Sequence, residues 1–154
     1  MLKQLEKRYW AFSTENQLRA STSAEGVKVL EGRFIPYNEL SVDFGGWREK
    51  IAPGAFDGSM DDDLRMFWNH DYGKILARRG NGSLDVQSRE DGVYFTGRLI
   101  DTTHAEDAYK DVSSGLVTGA SFGFRLLSWD DEQWDETEDG MLIRTVLRAK
   151  LYEG

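Results

Sequence analysis

Gly119-Ala120-Ser121-Phe122-Gly123-Phe124 sets a serine hydroxyl between small residues, and Trp68-Asn69-His70-Asp71 sets a histidine in an apolar setting upstream. A serine hydroxyl is a poor nucleophile at neutral pH unless a base takes its proton. Imidazole is the side chain whose ordinary titration range suits that task. The chain has 2 histidines, so the candidate bases are His70 and His104. His70 ends an alternating stretch, beside Phe67 and Trp68, with turn residues following. That place gives partial burial and an exposed edge. His104 falls in the first turn of a predicted helix, where the helix dipole disfavours an imidazolium. It is expected to face solvent.

Gly119-x-Ser121-x-Gly123 matches the nucleophile-elbow pattern literally. The same spacing also suits a strand with glycine at a bulge or close contact. Chain order rejects the α/β-hydrolase, whose histidine follows its serine. An order of His, Ser and then an orienting group remains open, because a triad is defined by geometry and roles. The third member should be a carboxylate. If 118–129 pairs with 141–152, Ser121 faces about residue 149, and Glu153 projects from the same face further along. A bulge or altered register would bring Glu153 nearer. Asp71 adjoins His70, but neighbours on a strand point to opposite faces. Asp101 and Asp111 remain open, whereas Asp130 and Asp131 lie too far along the strand.

These groups need a scaffold. A length of 154 residues is most simply one domain, 1–154, with a real core. Hydrophobic residues at 40% fit a packed globule. No apolar run approaches the roughly 18–20 residues that span a membrane. The net charge of -8 argues against non-specific nucleic-acid binding. Cysteine is absent, which excludes disulfides, cysteine catalysis and thiolate metal sites. No metal-ligand cluster, phosphate loop or dinucleotide fingerprint is recognisable, so no cofactor is expected.

Short strands are predicted at 27–35, 64–70, 74–79, 83–88 and 93–100, broken by Gly, Asn and Asp. Glu90-Asp91-Gly92 makes 83–100 a hairpin. Residues 118–129 and 141–152 read as a second hairpin across an exposed acidic loop, 130–140. Thr103-His104-Ala105-Glu106 has the capping-box form and opens a helix that Gly115 stops. A shorter helix is predicted from Pro53. The first 25 residues are ambiguous, with 21–26 a loop. The fold class is α+β: an antiparallel, barrel-like sheet with a few helices.

The sequence resembles the prohead proteases of tailed bacteriophages, which are similar in fold to herpesvirus assembly proteases. The resemblance runs over about residues 8–153. Its stations come in order: Val29-Leu30-Glu31-Gly32-Arg33-Phe34-Ile35-Pro36-Tyr37-Asn38, then Glu49-Lys50-Ile51-Ala52-Pro53-Gly54-Ala55-Phe56, then Phe67-Trp68-Asn69-His70-Asp71, then the serine stretch 119–124, and last Leu151-Tyr152-Glu153. It implies a serine endopeptidase that cleaves scaffold or capsid-protein segments, and often itself, inside an immature capsid in the host cytoplasm. By match to the motifs, His70 is the base, Ser121 the nucleophile and Glu153 the third member. The family's glutamate usually precedes Val-Ser and a Pro-Ala stretch, whereas Gly154 follows here. That departure implies a shortened or self-cleaved chain, inactive if the missing strand completes the site. The resemblance also implies a homodimer, with no nucleic acid and no membrane as partner.

Two other readings stay open. One is a non-catalytic assembly or scaffold-binding module of the same fold. The other is an unrelated β-barrel binding protein with Trp47, Trp68, Trp129 and Trp134 as core or ligand wall. In that last case Ser121 and His70 would lie far apart.

Overall fold

The computed structural model describes residues 4–8 and 18–154. In chain order the strands are β1 (Glu6–Arg8), β2 (Arg19–Thr22), β3 (Lys28–Pro36), β4 (Trp47–Ile51), β5 (Arg65–Trp68), β6 (Asp71–Arg78), β7 (Leu84–Arg89), β8 (Gly92–Arg98), β9 (Phe122–Arg125), β10 (Glu132–Glu136), β11 (Leu142–Val146) and β12 (Lys150–Glu153). Among the described residues the one α-helix, α1, spans Thr103–Ser113, between β8 and β9.

The strands form three separate sheets, ordered β1-β9-β12-β5-β6, β10-β11-β4 and β2-β3-β8-β7. The expected barrel-like single sheet is therefore corrected: the sheets do not close on one another. Among the described residues two strand pairs are parallel, β11 with β4 and β12 with β5. The expected few helices reduce, among the described residues, to α1 and three short 3-10 turns. The helix expected from Pro53 is a turn followed by one of these, at Asp57–Ser59.

Local chemistry explains much of what agrees. β7 and β8 form the expected hairpin. α1 lies where predicted, but its cap is one residue earlier: Thr102 accepts from the Ala105 N–H at 3.2 Å. Thr102 can do this because its backbone is extended, as a helix cap requires. Gly115 follows the helix at φ 80°, the left-handed conformation that glycine adopts freely.

The second expected hairpin is corrected. The acidic stretch does not loop out; part of it is β10, paired antiparallel with β11. The segment 141–152 splits between two sheets, with β11 in one and β12 in another. A buried carboxylate makes the split. Asp131 accepts from the Leu127 and Ser128 N–H groups and from Arg148, folding the 126–131 corner onto the end of β11. Its backbone oxygen also accepts from the Leu147 N–H at 2.7 Å. Of the ambiguous first 25 residues, 1–3 and 9–17 lie outside the described residues, and β1 and β2 come from the rest.

The core gathers behind β9. Phe122, Phe124 and Leu126 alternate along the chain and are buried on one face. Phe34 and Phe56 meet them edge-on, at centroid distances of 6.5 Å for Phe34–Phe122 and 6.1 Å for both Phe56 pairs. Such pairs add about 0.5–1.5 kcal/mol each beyond area burial. Period-2 alternation then turns Ser121 and Gly123 to the opposite face. Trp68 packs partly buried against the core, whereas Trp129 and Trp134 are exposed.

Candidate active site

His70 does not end a strand, as the sequence suggested. It sits in the two-residue loop between β5 and β6, where Trp68 pairs with Asp71. Asn69 and His70 both have positive φ, 54° and 53°. That is the pattern of a type I′ hairpin turn, which favours Asn-Gly. Asn suits its place. His at the glycine position costs about 1–2 kcal/mol of backbone strain. Strain of this kind is held where the side chain has a task.

The ring is held at both nitrogens. Nδ1 lies 3.0 Å from Glu153 Oε1, and Nε2 is hydrogen-bonded to Ser121 Oγ. A carboxylate oxygen can only accept, so Nδ1 carries the proton and donates it. Nε2 is then the bare nitrogen and accepts from the serine hydroxyl. His70 and Glu153 side chains are 6% and 3% exposed. Little water competes for these bonds.

Glu153 reaches this place through an irregularity. Leu151 pairs with Phe124 on the core face of the sheet, and a regular strand would send Glu153 to that same face. The register shifts between Leu151 and Glu153, so Glu153 instead pairs with Gly123. A bulge re-aims the side chain to the opposite face. Gly123 makes room for it. A Cβ added there would stand 3.0 Å from Glu153 Cγ and 3.2 Å from Oε1. The last glycine of the 119–123 pattern thus gives space to the carboxylate.

Parallel pairing completes the frame. Glu153 pairs with Arg65 of β5. The Phe67 N–H donates to the Gly154 carbonyl at 3.0 Å, and the Gly154 N–H donates to the Arg65 carbonyl. β12 is thereby fixed between the strand that precedes His70 and the strand that follows Ser121.

His104 is half-buried rather than solvent-facing, and its Nε2 donates to the Ile75 carbonyl at 3.0 Å. Asp71 is exposed and accepts from the Gly73 N–H. Asp101 is exposed and Asp131 serves the corner described above. The sequence reading missed Lys7. Its Nζ lies 3.3 Å from Glu153 Oε1. No local signal marks it, because the contact joins the two ends of the described chain.

A cleft of about 440 Å³ opens beside His70 and Ser121. Leu30, Met66, Phe95 and Val112 line it with residues 117–120. An apolar cleft with a few convergent polar groups is the usual form of a binding site. No helix among the described residues is long and apolar enough to cross a membrane.

Among curated proteins, none matches this chain. The fold is similar to the solved structure of the capsid assembly protease gp21 of bacteriophage T4, with TM-score 0.56 and 16% identity over 98% of this chain and 94% of that one. At that identity the likeness speaks for the fold. The sequence itself matches the caudovirus prohead serine protease family over residues 14–153. A serine, a histidine and a carboxylate in contact stand within that match, and the chain belongs to the caudovirus prohead serine proteases.

Proposed function

We propose that Ser121, His70 and Glu153 are the nucleophile, base and orienting carboxylate of this serine endopeptidase. One observation carries the reading: His70 bridges Ser121 Oγ and Glu153 Oε1 through its two ring nitrogens. Ser121 Oγ attacks a peptide carbonyl carbon while Nε2 takes its proton. Glu153 steadies the imidazolium and fixes which nitrogen carries the ring proton. The oxyanion is held by backbone N–H groups. The carbon–nitrogen bond then breaks, and Nε2 returns its proton to the leaving amine. Water attacks the acyl-serine, giving its proton to His70, and the serine is regenerated.

The substrates in this reading are segments of phage scaffold or capsid protein inside the prohead, with self-cleavage included. A homodimer, a single protease domain over 1–154, the host cytoplasm as compartment and a fold like that of herpesvirus assembly proteases belong to the same proposal. The experiment is intact mass after incubation with a fluorophosphonate, beside Ser121→Ala and His70→Ala. One adduct on the native chain, lost in both variants, is the expected result. An adduct that survives Ser121→Ala overturns the nucleophile.

A further inference from the structure

β1 is clamped from one side. Glu6 takes both terminal nitrogens of Arg144, at 2.7 and 2.9 Å. Arg8 grips Glu49 through Nε and Nη2, at 2.6 and 2.8 Å. Glu49 is 0% exposed. Period-2 alternation sends Lys7, between these two, to the other face of the strand. There Lys7 pairs in register with Gly123, and Gly123 pairs on its other side with Glu153. The three stand in one row across β1, β9 and β12. The central residue has no side chain, so the outer two meet over it.

The geometry points to Lys7 as a positioning residue for the triad, acting through Glu153. This rests on the triad reading above. The Lys7 ammonium and the His70 N–H converge on the same oxygen, Oε1, at 3.3 and 3.0 Å. Lys7 also lies over the Tyr72 ring at 5.5 Å, and Tyr72 follows His70 by two residues. A carboxylate this buried needs a compensating cation. Lys7 supplies it when the imidazole is neutral and holds the carboxylate at one rotamer.

Other charged or titratable groups lie near. A separate hollow of about 480 Å³ reaches Glu153 and is lined by Asp63, Arg65, Tyr72, Arg125 and Tyr152. Asp63 is engaged by Arg78. Arg65 also lies near Asp63, at 3.9 Å. The Arg125 guanidinium lies over Tyr152. Ser121 faces the opposite ring nitrogen of His70.

The test is the fluorophosphonate labelling rate, beside the melting temperature, for the native chain, Lys7→Met, Lys7→Arg and Glu153→Gln. Glu6 and Arg8 keep β1 docked in both Lys7 variants. Lys7→Met is expected to lower the plateau rate about 3- to 10-fold with an unchanged melting temperature. Lys7→Arg is expected to restore the rate. A Lys7→Met rate loss that tracks a lowered melting temperature means a merely structural lysine and overturns the proposal. So does a Lys7→Arg rate that follows Lys7→Met. If Glu153→Gln labels like the native chain, the triad reading fails first and takes this proposal with it. If Glu153→Gln loses its reactivity and Lys7→Met labels at the native rate, the proposal falls alone.

Discussion

Gly123→Ala tests the packing of the site with one methyl group. The new Cβ would stand 3.0 Å from Glu153 Cγ, 3.2 Å from Oε1 and 3.5 Å from Cδ. Carbon atoms settle at about 3.5–4.0 Å, so the carboxylate must give way by a few tenths of an ångström. The Nδ1–Oε1 bond starts at 3.0 Å. That retreat takes it out of the hydrogen-bond range, which ends near about 3.2 Å. Misplacing a catalytic group by about 1 Å costs on the order of 10² in rate, and losing the tautomer outright about 10⁴. A drop of about 10- to 10²-fold is expected, or about 1.4–2.7 kcal/mol in the barrier. Stability should change little. Gly123 is not in the left-handed region, so alanine gains up to about 1 kcal/mol from the chain's lost freedom. Overpacking takes back about 1–3 kcal/mol. The assay is the fluorophosphonate labelling rate beside the melting temperature. Adding Glu153→Ala to Gly123→Ala provides the control. Without the carboxylate the new methyl has nothing to displace, so the two losses should not multiply. A folded Gly123→Ala protein that labels at the native rate would refute the reasoning, as would losses that multiply in the double variant.

Two further outcomes follow from the clamp on β1. Glu49→Ala removes the more buried of the two carboxylates that Arg8 and Arg144 share and leaves them Glu6. Breaking a buried pair of this kind costs about 3–5 kcal/mol, and melting should fall by roughly 10 °C or more; a fall under about 3 °C would show that the cluster relaxes into water. Burial pushes the Glu6 carboxyl up, but Arg144 and Arg8, through their hydrogen bonds and charges, together outweigh it and hold the group below the usual carboxylate range. The stability this contributes is complete above the ordinary value near about 4.3 and is lost as pH falls through the lowered folded value. Urea midpoints between about pH 6 and about pH 3 should therefore fall less in Glu6→Gln than in the native chain. Equal slopes in the two proteins would remove Glu6 from the account.

The sequence by itself determined the chemistry available and several local elements. One serine in a glycine frame and two histidines made the list of nucleophile and base short. Turn residues marked the β7–β8 hairpin, and the capping residues marked α1, because such signals act over a few positions. Alternation of Phe122 and Phe124 already implied that Ser121 and Gly123 share the other face. Tertiary structure decided the rest. Whether Glu153 faces the core or His70 depends on a bulge, which adds one residue and leaves no distinctive local pattern. The acidic 130–140 stretch looked like a solvated loop by composition, yet its residues 132–136 pair as β10 because β11 offers them a strand to bond. The His70 backbone lies at positive φ, against its local preference, because the hairpin and the two bonds to its ring hold it there. Lys7 meets Glu153 from the far end of the chain. A contact between residues so distant in sequence is set by strand order, which no window of the sequence contains.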